Sequence, residues 1–407
     1  MLKISGLLFL FEGVAALLAL QLLYPLLSNV LSLLFGKEKP APKPTPDPTI
    51  DFACIITAYR NATIAGPLVQ SLLNQNHKRL HIYLVADDCA TVDVPPNDRL
   101  SILKPSQPLQ LKVKSLRYAM DRLVRTHDFI AVFDADNLAH PDFLKELSRY
   151  AGVYVCVQGQ RMAKNTDTTY AALDGLGEFY KNHLERQTPF LLGSSSVISG
   201  SGMVVEKRLY EAYLNSEPIE KGQKLGKGML QEDKILQNFI VKQGKRIAYA
   251  PAALVYDEKV ETASAVEIQR SRWLYSYFQN VPNALELLVG GVLRLDWNRA
   301  YFGAITLVLP MFVQVGLAGL FFLLGLWLAP WISLLMALSV VMFVANVAWS
   351  LRLANAPESV RAVLGKTPLF VWRQVRALLR MRNPNKNFAP TEHKHVVSVD
   401  ELLNRKP

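Results

Sequence analysis

The hydrophobic pattern divides the chain before any motif is considered. From Ile4 to Phe35 the only charged residue is Glu12, and from Tyr301 to Leu351 there is none. The first run is long enough to cross about 30 Å of hydrocarbon at about 1.5 Å per residue. A secretory signal would have an apolar core of only about 7–15 residues and a small-residue cleavage site. This run is longer and ends in LSLLFGKEKP, so it reads as an uncleaved anchor. Leu328-Ala329-Pro330-Trp331 splits the second run into spans at 301–327 and 332–352, a helical hairpin with Trp327 and Trp331 suited to the interface. Val281–Trp297 and Ser359–Met381 mix apolar residues with polar and basic ones, which suits helices lying in the interface; ordinary surface helices are the alternative.

Between the anchors the pattern changes. Residues 37–50 (KEKPAPKPTPDPTI) form a proline-rich, semi-rigid linker. Phe52–Ala58, His81–Ala86, Phe129–Phe133 and 153–159 are short apolar runs of buried-strand type. Helical spacing covers Thr63–Asn74, Lys112–Thr126 and 141–150. Alternating strands and helices predict an α/β domain over 51–280 with a mainly parallel sheet. The whole layout is then an N-terminal transmembrane helix (1–36), the linker, this domain, an interfacial helix (281–298), a transmembrane hairpin (299–353) and a basic tail (354–407).

Composition fits this division. Hydrophobic residues make up 50% of 407 and charged residues 19%, which excludes a disordered or collagen-like chain. Cys54, Cys89 and Cys156 have no metal spacing and cannot build a disulfide framework, so they read as reduced, buried thiols. The net charge of +11 raises the possibility of a nucleic-acid partner, but no binding motif or aromatic-interleaved basic stripe accompanies it. Lys and Arg instead flank the spans: Lys37, Lys39 and Lys43 after the first, Arg294 and Arg299 before the second, Arg352, Arg361, Lys366, Arg373, Arg376 and Arg380 after the third. The positive-inside rule then puts the domain and tail in the cytosol and the N-terminus outside an inner or plasma membrane, with anionic lipid headgroups as partners of the basic tail.

In open α/β sheets, ligands bind beyond the carboxyl ends of the strands. Asp87 and Asp88 end one predicted strand, and Asp134 and Asp136 end another. An Asp-x-Asp pair supplies hard oxygen ligands for Mg²⁺ or Mn²⁺ and leaves positions open for phosphate oxygens. Glu232 and Asp233 begin a predicted helix, where a carboxylate is stabilised by the helix end in any case; Asp233 is also a candidate general base for an acceptor hydroxyl. Arg272 beside Trp273 offers a guanidinium for phosphate and an aromatic face for a sugar, or alternatively an interfacial Arg-Trp anchor.

These elements in this order resemble the membrane-integrated branch of the family 2 glycosyltransferases, which includes hyaluronan, chitin and cellulose synthases and ceramide glucosyltransferases. The resemblance covers about Asp51 to Phe278. It rests on Ile56-Thr57-Ala58-Tyr59-Arg60, Asp87-Asp88, Asp134-x-Asp136, Glu232-Asp233 and Gln269-x-x-Arg272-Trp273. Lys112–Ala119 is similar to the family's Lys-x-x-Ala-Leu-Asn helix start, with Ser115 and Arg117 replacing the usual Ala and Asn. Ser199-Gly200-Ser201-Gly202 stands where the family has a small-residue loop facing the acceptor.

The resemblance implies a GT-A fold, the nucleotide-diphospho-sugar transferase domain, that binds a nucleotide-activated sugar, usually a UDP-sugar. It implies that Thr57, Ala58, Tyr59, Asp87 and Asp88 hold the nucleobase side. Lys112, Asp134, Gln269 and Arg272 would contact the donor, and Asp136 with Asp134 the metal. Asp233 would be the base with Glu232 beside it. Gly200, Ser201, Gly202 and Trp273 would border the acceptor. Asn383–His395 resembles the Thr-x-His tail segment of related membrane transferases, which implies a segment folding back toward the site; a disordered tail is the alternative.

Two functions compete, polysaccharide synthesis as the main reading and a lipid acceptor as the alternative. One is polysaccharide synthesis, supported by Gln269-x-x-Arg272-Trp273; three spans are few for a polymer channel, so a homo-oligomer, the interfacial helices or a separate export partner would have to complete it. The other is addition of a single sugar to a lipid acceptor. A non-catalytic scaffold is disfavoured because every expected carboxylate is present.

Overall fold

The computed structural model describes residues 2–224, 231–379 and 397–404; the tail segment 383–395 lies outside them. Eight strands form one sheet: β1 (Phe52–Tyr59), β2 (Leu80–Asp87), β3 (Leu100–Leu103), β4 (Phe129–Asp134), β5 (Leu138–Ala139), β6 (Cys156–Ala163), β7 (Met203–Glu206) and β8 (Ile247–Asp257). Their order is β3-β2-β1-β4-β7-β6-β8-β5. The β3-β2-β1-β4 half is parallel. β7 then runs antiparallel to both β4 and β6, so the sheet is mixed where the alternating pattern predicts a mainly parallel one. The four-residue β7 is too short to leave a periodic signal.

β1, β2 and β4 are mostly apolar and almost wholly buried because both faces are covered, whereas the edge strand β3 is partly exposed. Phe52, Cys54 and Ile56 pack in one layer with the helices Gly66–Leu73 and Phe143–Ser148. Ala53 and Ile55, pointing to the other face, pack with Lys112–Met120, Lys207–Leu214 and Glu232–Lys242. This sandwich sets the carboxyl ends of β1, β2 and β4 along one rim.

Among the described residues, three helices are long and apolar enough to cross a membrane: Gly6–Phe35 within Leu2–Phe35, Met311–Leu328 and Pro330–Leu353. Ala15, Ala19, Leu22, Ala318, Ile332 and Met336 are buried where the three meet. Phe11 stacks on Phe321 with ring centroids 4.9 Å apart. Large apolar residues such as Phe9, Leu323 and Trp327 face outward.

Two expected boundaries move. The span drawn at 301–327 is two helices, Trp297–Leu307 and Met311–Leu328. Pro310 lacks the N–H that would continue the ladder and pushes the residue before it out of the helical region. The interfacial helix expected at 281–298 is not separate: one 31-residue helix, Ala263–Leu293, runs through Gln269–Trp273 and past Pro282. It crosses Trp297–Leu307 so closely that a Cβ on Gly291 would collide with the Ala300 backbone.

The linker is strapped down. Lys37 N–H donates to the Leu191 carbonyl at 3.0 Å and Lys43 N–H to that of Arg149 at 2.8 Å. Tyr154 donates to the Pro40 carbonyl at 2.6 Å.

Candidate active site

The rim at the end of β4 gathers charged side chains from three elements. Lys112 opens the helix Lys112–Met120 and reaches across to Asp134, the last residue of β4. Its Nζ lies 2.5 Å from Asp134 Oδ1 and 3.8 Å from Glu232 Oε1. It also donates to the Gly200 carbonyl at 2.9 Å. Desolvation in the cleft would raise the Asp134 carboxyl, yet the Lys112 ammonium keeps it below its ordinary value. Desolvation would likewise lower Lys112, and Asp134 and Glu232 hold it above its usual range.

Glu232 and Asp233 stand in the first turn of Glu232–Lys242. Asp233 Oδ1 accepts from the Lys234 amide at 2.8 Å, and Tyr213 donates to the Glu232 carbonyl at 2.8 Å. Burial pushes the Glu232 carboxyl up to about 7; Lys112 opposes that rise and Asp233 adds to it. Gly200 explains how the groups converge. At φ +75° it adopts a backbone that side-chain-bearing residues rarely take. A Cβ there would lie 3.5 Å from Asp233 Cβ, 3.7 Å from Lys112 Nζ and 4.0 Å from Glu232 Oε1. The structure therefore brings Lys112, Asp134, Gly200, Glu232 and Asp233 into one site.

Other expected residues are placed differently. Asp136 is buried, its Oδ2 accepting from the Glu258 amide at 3.1 Å, while Lys164 donates to its carbonyl at 3.1 Å. Asp87 is also buried, and both its oxygens are engaged by backbone amides, Oδ1 with Leu109 at 2.7 Å and Oδ2 with Gln110 at 2.8 Å. Its visible work is to hold the segment leading into Lys112. Asp88 is the exposed member of that pair and meets Arg60 at 3.2 Å. Thr57 pairs with Val85 and Asp134, and Ala58 and Tyr59 with Ala86 and Asp87, so strand one ends beside Asp87 and Asp134.

Gln269, Arg272 and Trp273 lie on the long helix. Arg270, paired with Asp174, and Lys181 both sit over the Trp273 indole, at 4.3 and 4.5 Å from its centroid. The ring is 40% exposed. The long helix is tied to the Glu232–Lys242 helix by Gln231–Gln279 at 2.9 Å, Asn238–Asn280 at 2.8 Å and Lys242–Glu286 at 2.7 Å.

The Ser199–Gly202 loop is held from below by residues that pattern reading passes over. Gln158, fully buried in β6, accepts from the Ser199 amide at 3.0 Å and donates to the Ser201 and Gly202 carbonyls at 3.1 and 3.0 Å. Arg186 donates to the Ser199 hydroxyl and pairs with Glu178 at 2.8 Å. Lys259 bridges Glu178 at 3.1 Å and Asp257 at 3.0 Å, and Asp257 pairs with Arg161. A glutamine inside the apolar run Val155-Cys156-Val157-Gln158 is the one local signal that was available.

A family model described as glycosyltransferase-like family 2 matches residues 48–276, more than half of the chain. The chain belongs to glycosyltransferase family 2. No curated protein sequence matches this transferase. Among solved structures it is similar to the mannosyltransferase PcManGT from Pyrobaculum calidifontis, in complex with GDP-Man and Mn²⁺, with a TM-score of 0.51 at 15% identity over 91% of this chain and 98% of that one. It is also similar to S. aureus TarS 1–349, with a TM-score of 0.38 at 12% identity over 83% of this chain and 91% of that one. The domain is thus an α/β GT-A fold, and among the described residues this glycosyltransferase has three helices long and apolar enough to cross a membrane.

Proposed function

We propose that this glycosyltransferase moves a sugar from a nucleotide diphosphate donor, a UDP-sugar by resemblance, to an acceptor hydroxyl at the cytosolic face of a membrane, inverting the anomeric centre. The observation that carries this reading is the convergence of Lys112, Asp134, Gly200, Glu232 and Asp233 at the carboxyl rim of β4. Asp233 takes the proton of the acceptor hydroxyl as its oxygen attacks the anomeric carbon. The bond from that carbon to the diphosphate breaks, and Lys112 and Arg272 offset the charge that builds on the leaving group. A single in-line displacement converts an α-linked donor into a β-linked product.

A divalent cation suits the chemistry of the donor set: Asp134 and Asp136, two residues apart in the sequence, would hold it with hard carboxylate oxygens, Asp134 exchanging its pair with Lys112 for the cation. When bound, Mg²⁺ or Mn²⁺ would neutralise charge on the diphosphate.

Of the two acceptors, the packing favours a lipid. Ala15, Leu22, Ile332 and Met336 fill the centre of the three spans, so a growing glycan would leave through an assembly of copies or a separate partner. Incubating purified protein with a panel of radiolabelled nucleotide sugars in lipid tests this. One organic-soluble product is expected; a ladder of sizes would restore the polysaccharide reading. Asp233→Asn is expected to lower kcat by about 10²–10⁴-fold while nucleotide still binds. Unchanged turnover would remove Asp233 as the base.

A further inference from the structure

Helix Thr169–Lys181 does not continue as an α-helix: Asn182–Gln187 forms a π-helical turn before Thr188–Leu191 resumes. Single π turns are uncommon and cluster at functional sites, where they re-aim side chains. This one carries two attachments. His183 Nε2 lies 2.9 Å from Asn29 Oδ1, inside the first span. The Asn29 amide nitrogen is spent on the third span, donating to Asn346 Oδ1 at 3.0 Å and Ser350 Oγ at 2.8 Å. His183 is therefore the donor, and burial holds its imidazole below its ordinary value, against the opposing contact with Gln187. Three residues on, Arg186 donates to Ser199 at the start of the glycine loop and is itself fixed by Glu178 and Asn182. Lys112 closes the chain, donating to the Gly200 carbonyl at 2.9 Å while it holds Asp134. Asn29, His183 and Arg186 are all buried, so each bond is made away from water, where an unmade one is costly.

We propose that Asn29 is a positioning residue for sugar transfer: through His183 it fixes the π-helical turn, and through Arg186 that turn fixes the Ser199–Gly202 loop against Lys112. The membrane span thereby sets the geometry of the reaction site as well as its location. The inference rests on the reading that this loop borders the transfer site.

The test uses the full chain in lipid nanodiscs, with kcat and donor KM measured separately and nucleotide binding by calorimetry. Asn29→Leu and His183→Leu are expected to lower kcat about tenfold with donor KM and nucleotide binding unchanged. His183→Gln, which keeps a side-chain donor, is expected to restore most of the rate, whereas a purely packing role would be served better by Leu. Combined with Arg186→Lys, Asn29→Leu is expected to add no further loss. Equal rates for the Gln and Leu variants of His183, or losses that multiply between Asn29→Leu and Arg186→Lys, would overturn the proposal. If Asn29→Leu fails to insert, the two His183 variants, outside the spans, decide alone. Failure of the underlying reading is separate: it shows as an active Asp233→Asn enzyme, not as an insensitive Asn29.

Discussion

Lys112 is the residue on which the site turns, because one ammonium contacts the end of β4, the glycine loop and the first turn of the Glu232–Lys242 helix. Its neighbour Glu232 gives the site a pH dependence. With its carboxyl pushed up to about 7, deprotonation occurs near neutrality, so kcat/KM is expected to rise with pH through that value. Glu232→Gln should flatten that limb, as profiles over about pH 5.5–8.5 would report. The stability effect has the opposite sense. The folded state binds the proton more tightly than the unfolded one, so the contribution of Glu232 is present at low pH and fades as pH rises from the ordinary 4.5 through about 7. Gly200 is the second test. A side chain at φ +75° costs on the order of 1 kcal/mol, and its Cβ would enter the site, so Gly200→Ala should depress kcat far more than melting temperature.

At the scale of elements, the readable parts are those with a strong period and a chemical terminus. β1, β2 and β4 are apolar runs ended by Asp or Tyr, and both the strands and the rim they form follow from the pattern. β7 and the π-helical turn are not legible, since neither is long enough to repeat. A buried ionic group, Glu178, Arg186, Lys259, Asp257 and Arg161, is contributed by the helix Thr169–Lys181, the π turn, β6, the end of β8 and the segment just past it. Burial would raise the Glu178 carboxyl, but Lys259 and Arg186 hold it well below its ordinary range. Removing one member leaves uncompensated charge, so Glu178→Ala is expected to destabilise the fold by about 3–5 kcal/mol in denaturant unfolding. Gln158→Leu tests the loop instead: it should lower kcat while losing less stability than Glu178→Ala.

For the whole molecule, we propose one arrangement from the apolar bundle and the basic flanks. Residues 352–407 hold eleven Lys and Arg against four Asp and Glu, a composition that would favour an anionic cytosolic surface. Single cysteines at Arg361 and at Ser5, in a background with Cys54, Cys89 and Cys156 replaced by Ser, give the topology test. A membrane-impermeant thiol reagent applied to intact cells is expected to label position 5 and to spare position 361. The reverse pattern would invert the orientation.

The sequence by itself determined the three apolar spans, the α/β class, the order of the carboxylates and the family they resemble. Each of these is written in local periodicity or in short motifs at strand and helix ends. Only the tertiary structure decided that Lys112 sits among Asp134, Glu232 and Gly200, that Asp87 spends both oxygens on backbone amides, and that the Gln269–Trp273 helix is continuous across Pro282. It alone also joined Asn29 to His183, more than 150 positions apart in the chain. Contacts of that kind arise when distant segments pack, and no local period encodes which segment a buried polar group will meet.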